Sequence, residues 1–348
     1  MDKFKKILSI TLIIVGAISC VIVVDHSETT DDVKALQRAV GVEPKLDNKK
    51  YMNFDDWLQG KFEPKEFYPT WVSDSEYIYR NNEDAIMKKN ISNDDETGLL
   101  SSSAWKSLIN PSLFYASGDL QYVAITYQHK DAYVHYMRTF SVAFFRTNDS
   151  QQVFPLGFPH EGIQKIKWEP LGHKMAYVHD FDVFLLSNLY SSPIQVTDDG
   201  ENNVIFNGIT DWGYELEITK DDALMWWSPN GTYLAYVKLD QTGVRNFDFP
   251  YFGGSQYPTM VSLSYPKPGN VVPKTLILIV NVENPTVSIE VMPSDNVTGW
   301  GEYYLNSLIW KNDQIFMSTW KNRLQNEAIS ESCNLISNLW TCNHDPQL

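Results

Sequence analysis

A short motif recurs along this chain, always in the same order: an aromatic residue, a tight turn, then an apolar run. Residues 168–178 read W-E-P-L-G-H-K-M-A-Y-V and residues 227–237 read W-S-P-N-G-T-Y-L-A-Y-V. Looser copies are W-V-S-D-S-E-Y-I-Y at 71–79, F-Y-A-S-G-D-L-Q-Y-V-A at 114–124 and W-K-N-D-Q-I-F at 310–316. Proline presets one turn dihedral and glycine or asparagine accepts a positive φ, so each copy encodes a corner between two strands. The aromatic starts lie 43, 54, 59 and 83 residues apart. A period of about 40 to 60 residues is that of β-propeller blades, with insertions in the longer intervals. Between the copies, runs of Tyr, Val, Ile, Phe and Trp alternate with Asp, Asn, Gly and Pro clusters, and few stretches hold a helical period. A β-sandwich with coincidental W-x-P turns is the alternative reading.

The first residues set the expected compartment. Ile7 to Val24 carries no charge over 18 residues. As a helix it would reach about 27 Å at roughly 1.5 Å per residue, enough for a thin bilayer. Lys3, Lys5 and Lys6 precede it, and Asp25, Glu28, Asp31 and Asp32 follow. The positive-inside rule then makes residues 1–6 a cytoplasmic tail, 7–24 a type II signal anchor, 25–50 a stalk, and 51–348 an extracellular or lumenal body at the plasma membrane or a secretory-pathway membrane. A signal peptide cleaved after Ala17 and Ser19, before Cys20, is the alternative. Four glycosylation sequons, at Asn90, Asn148, Asn230 and Asn296, agree with that topology. Cys333 and Cys342 are the only body cysteines, and in an oxidising compartment they are expected to pair and pin a local hairpin.

Charge and motif content exclude several functions. Lys and Arg number 28 against 43 Asp and Glu, a net charge of -15, which disfavours a nucleic-acid partner and broad contact with anionic lipid. Neither H-E-x-x-H nor C-x-x-C occurs, so no metal or cofactor site is expected.

Residues 207–237, N-G-I-T-D-W-G-Y-E-L-E-I-T-K-D-D-A-L-M-W-W-S-P-N-G-T-Y-L-A-Y-V, closely resemble the dipeptidyl peptidase IV family of serine peptidases. Y-P-T-W-V-S-D-S-E-Y-I-Y at 68–79 is similar to that family's first blade. W-E-P-L-G-H-K-M-A-Y-V, Q-Y-P-T-M with Y-P-K-P-G at 256–269, and W-K-N-R-L-Q-N at 320–326 before the cysteines extend the likeness from about Asp55 onward. The resemblance implies an eight-bladed β-propeller followed by an α/β-hydrolase domain that removes N-terminal dipeptides, preferring proline or alanine in second place. The expected fold is therefore all-β: about half of an eight-bladed-type propeller, preceded by one transmembrane helix.

A serine hydrolase needs a nucleophile on a G-x-S-x-G elbow, and that pattern is absent. Gly253-Gly254-Ser255-Gln256-Tyr257 is the nearest string, and Ser255 reads as a loop serine. Neither a catalytic residue nor a hydrolase domain is expected within these residues. Half of substrate recognition could remain. In the family, the second and third of three glutamates after D-W-x-Y hold the substrate amine. Here the segment reads Tyr214-Glu215-Leu216-Glu217, so Glu217 matches the third position and Leu216 removes the second. Glu215 matches the first position, and a register shift could let it compensate. Both carboxylates could equally be solvated charges on a polar segment. The family also places an arginine in an early-blade R-H-S-Y, where this chain has Val134-His135-Tyr136-Met137 and an arginine only at Arg138. The lost glutamate and arginine fit the family's inactive members, accessory subunits of potassium channels. Val291-Met292-Pro293 and Glu302-Tyr303-Tyr304 are somewhat similar to those members.

Residues 238–260 interrupt the blade period and carry Phe247, Phe249, Tyr251 and Phe252. In the family an arm at this place helps form a homodimer, and the alternative is that these rings fold back on the blade. Three readings of a half-array stand: a piece of a longer peptidase, a short product that pairs with another chain, and a relative used only for binding.

Overall fold

The computed structural model describes residues 53–62, 67–133 and 136–344. The described residues 53–62 and those from Phe67 onward belong to separate units. In the first, Phe54–Leu58 is a single helical turn whose Asn53 side chain accepts the Asp55 N–H. The Ile7–Val24 run, Cys20 and the stalk lie outside the described residues. Among the described residues no helix is long and apolar enough to cross a membrane.

From Thr70 onward the chain is a succession of antiparallel meanders. The first sheet runs through Thr70–Trp71, Glu76–Arg80, Ile86–Asn90 and Glu96–Leu100. The second contains Pro111–Ala116, Tyr122–Tyr133, Tyr136–Arg146 and Gln152–Val153. The third contains Ile163–Trp168, Met175–His179, Asp182–Leu186 and Ile194–Gln195, and touches the second through the pair Phe140 and Ile163. The fourth is built on Met225–Trp227, Tyr233–Asp240, Lys274–Asn281 and Ser288–Val291, with Ile205–Asn207 pairing the far end of Tyr233–Asp240. The fifth is Tyr303–Asn312, Ile315–Asn322, Ala328–Ile336 and Leu339–His344. In every sheet a motif copy makes the first-to-second strand corner. The repeat reading holds, and the sandwich reading does not.

Strand alternation shows how the sheets stack. On one strand Val123 and Ile125 pack with Ile86 and Leu100 of the first sheet, while Tyr122 and Ala124 pack with Ile166 and Tyr177 of the third. Met175 and Tyr177 share that second cluster, whereas Ala176 and Val178 join Phe206, Leu234 and Tyr236. Successive residues point to opposite faces, so both faces of these middle strands are buried, each against a different neighbouring sheet.

The motif corners also bond from sheet to sheet. The indole N–H of Trp168 donates to Tyr115 O at 3.1 Å, that of Trp227 to Lys167 O at 3.0 Å, and that of Trp310 to Trp226 O at 3.1 Å. Asp119 accepts His173 at 2.7 Å, and the Asp313 carboxylate accepts Asn230 N–H and the Thr232 hydroxyl. Gly231 sits at φ +68, and a Cβ there would come within 2.1 Å of Glu169 Oε2. The motif's final glycine thus answers both a backbone and a packing demand.

The long last interval is explained by an inserted ribbon, Asn246–Tyr251 paired with Thr259–Ser264. Its limits differ from the expected 238–260, because Lys238–Asp240 complete a blade strand that a sequence break does not mark. Cys333 and Cys342 stand directly opposite on neighbouring strands and are joined by a disulfide.

Candidate functional site

The connection between the third and fourth sheets carries the acidic segment. Tyr214–Ile218 is one turn of π-helix, closed by Thr219 N–H to Tyr214 O at 3.0 Å. Such turns are rare and recur at functional sites. Two buried groups fix it. Asp211, 3 % exposed, accepts the Tyr214 N–H at 2.7 Å through its carboxylate, while its backbone carbonyl accepts the Glu215 N–H. The Tyr214 ring is 1 % exposed; its hydroxyl meets Thr275 Oγ1 at 2.7 Å and accepts the Leu305 N–H at 3.0 Å. One side chain thereby ties the turn to the fourth and fifth sheets. Burial pushes the Asp211 carboxyl up to about 6, against the hydrogen bonds from the Tyr214 and Gly213 backbone.

Glu215 and Glu217 are two residues apart, so a single helical turn sends them to different sides. Glu215 lines a cavity of about 410 Å³. The second sheet contributes Tyr115, Thr126, His129 and Arg138, the third Gln164 and Lys165, and the connection adds Thr210, Lys220, Asp221 and Asp222. Burial raises the Glu215 pKa and Asp222 adds to the rise; Arg138 and Lys165 oppose it. Lys165 and Asp222 form an ion pair across the cavity wall. The exposed Glu217 lines a separate cavity of about 210 Å³ with Trp212, Tyr265 and Tyr304. A single amine therefore does not meet both glutamates. Leu216 is 45 % exposed and belongs to the larger cavity.

Val134 and His135 lie outside the described residues. Arg138 lines the larger cavity and acts on Glu215. Lys165 and Asp222 escape sequence reasoning, and Asp211 enters it only as the first residue of D-W-x-Y. Around Lys165 and Asp222 the sequence shows only an alternating strand, I-Q-K-I-K-W, and an Asp pair after Lys220; nothing in it joins positions 57 residues apart. Ser255 donates to Tyr257 O within the ribbon turn. Asn148, Asn230 and Asn296 are exposed and Asn90 is half-buried.

Stacked four-stranded meanders joined by Trp-bearing corners define an all-β protein of propeller type. A family model described as the dipeptidyl peptidase IV (DPP IV) N-terminal region matches residues 117–346. The chain belongs to that family. It is 30% identical over 303 residues to the mouse (Mus musculus) prolyl endopeptidase FAP, covering 86% of this chain and 39% of the relative. It is 31% identical over 267 residues to the mouse inactive dipeptidyl peptidase 10, covering 76% and 33%. The crystal structure of Porphyromonas gingivalis dipeptidyl peptidase 4 shares the fold with a TM-score of 0.71 at 20% identity, over 86% of this chain and 43% of that one. The chain thus spans under half the length of these relatives.

Proposed function

We propose that this chain is the propeller portion of a membrane-anchored, dipeptidyl-peptidase-IV-like serine exopeptidase, and that its larger cavity receives the amino terminus of a peptide. The observation that carries the reading is the placement of Glu215: a half-buried carboxylate on a fixed turn, facing a cavity it shares with Arg138. A carboxylate with few waters gains more from an ammonium partner than an exposed one does. Glu215 therefore takes the amine in this chain, and Glu217, in a different and more exposed setting, does not. The Ile7–Val24 run is the anchor in this reading, the body lies outside or in the lumen, and the sequon asparagines carry glycans. The exposed ribbon tip, with Phe252 at 74 % and Tyr257 at 77 %, is where a second copy would dock, while the ribbon base is tied to Asn203 through Ser262 and Ser264.

The test is calorimetric titration of the chain with Ala-Pro-amide and its N-acetylated form. Binding of the free amine only, abolished by Glu215→Gln, is expected. Equal binding of both peptides, or an unaffected Glu215→Gln variant, would overturn the assignment. One observation favours a second reading, a non-catalytic interaction protein on the same scaffold: an apolar Leu216 in the cavity where an acid is expected, together with the likeness to an inactive relative.

A further inference from the structure

We propose that the cavity beside Glu215 takes ligands that bear a carboxylate as well as an amine, and that Lys165 docks the carboxylate. This rests on the reading of the cavity as a site for a peptide amine. Lys165 stands in the strand Ile163–Trp168, and its side chain is 12 % exposed. An ammonium has three donor hydrogens. Among the described residues, Asp222 is the hydrogen-bond partner of Lys165. The ammonium thus keeps donor capacity at the wall of the cavity. Burial works against its charge, but the neighbouring carboxylates, Asp222 before Asp221, counter this, and its pKa is raised. It is a fixed cation at neutral pH in a setting with little water, where a charge-assisted hydrogen bond is strong. A lysine on open surface would only exchange such a partner for water.

The charges on the wall indicate what the ligand carries. Arg138, Lys165 and Lys220 stand against Glu215, Asp221 and Asp222, so the lining is balanced. A ligand with an ammonium alone leaves a net charge on this balanced lining, which is less favourable. A ligand with both charges leaves the balance intact. Lys165 and Glu215 line the same cavity of about 410 Å³. One small ligand can therefore answer both groups. Its carboxylate has two sources: an acidic side chain in a peptide's first residue, or the free C-terminus of a dipeptide.

Calorimetry on the full chain with four probes separates these cases: Glu-Pro-amide, unblocked Ala-Pro, Ala-Pro-amide and acetyl-Glu-Pro-amide. At least one of the first two is expected to bind about tenfold more tightly than Ala-Pro-amide, and which one does so identifies the source. Lys165→Met is expected to close that gap. Equal affinity of the three unblocked probes overturns the proposal and leaves the amine reading standing. So does a gap that survives in a folded Lys165→Met variant. If acetyl-Glu-Pro-amide binds as tightly as Glu-Pro-amide, the carboxylate site stands and the amine reading fails. The probe series on the unaltered chain decides the matter even where Lys165→Met does not fold.

Discussion

The tryptophans of the repeated motif do more than fill space. Trp227 buries its ring, Trp168 and Trp310 half-bury theirs, and each spends its one side-chain donor on a main-chain carbonyl of the sheet before. Tryptophan suits this place because its body is apolar and its N–H needs a partner when buried. Phe114, at the same place in the second sheet, has no N–H to give. Trp71, in the first sheet, is 58 % exposed. Two substitutions separate these settings. Trp227→Phe removes a buried donor and some volume, and is expected to cost about 1–3 kcal/mol in urea unfolding. Trp71→Phe is expected to change stability by less than about 0.5 kcal/mol. Equal costs for the two would show that the sheet-to-sheet bond adds little.

Among elements, the π-turn is the one that places the site, and it is held by a buried acid. The Asp211 carboxyl titrates near 3.8 when free and is raised to about 6 by burial. Between about pH 4 and 6 the folded chain keeps a proton that the unfolded chain has released, so this group makes stability fall as pH rises. Asp211→Asn keeps an acceptor for the Tyr214 N–H and carries no charge. Urea unfolding of both chains should show the variant gaining on the natural chain by on the order of 3 kcal/mol between pH 4 and 7. A constant difference across that range would mean that Asp211 is not held neutral by burial. Elements differ in how far the sequence reveals them. The five corners are legible because proline, glycine and aromatic residues recur in fixed order, and the Cys333–Cys342 pairing because two thiols lie on adjacent short runs. The π-turn is not legible: one helical turn has no period to detect. The opposed directions of Glu215 and Glu217 follow only from that turn. The ribbon is visible as a break in period, but its edge is blurred because Lys238–Asp240 belong to a strand that runs on past it.

For the whole molecule, stacking creates the site, because no single sheet contains it. The larger cavity draws on the second sheet, the third sheet and the connection into the fourth. The Lys165–Asp222 pair crosses from the third sheet to that connection. Long-range juxtaposition of this kind has no local sequence signature, which is why the family resemblance points to the acidic segment and to an arginine near Arg138 but not to Lys165 or Asp222. The same likeness brings Glu217 forward, whereas the cavity geometry favours Glu215. The amine assignment is therefore the central claim. Its most direct measurement is a crystal structure of the chain with bound Ala-Pro-amide. The peptide nitrogen is expected within about 3 Å of the Glu215 carboxylate, inside the cavity that Arg138 and Lys165 line. A peptide nitrogen on Glu217, against Trp212 and Tyr265, would contradict it.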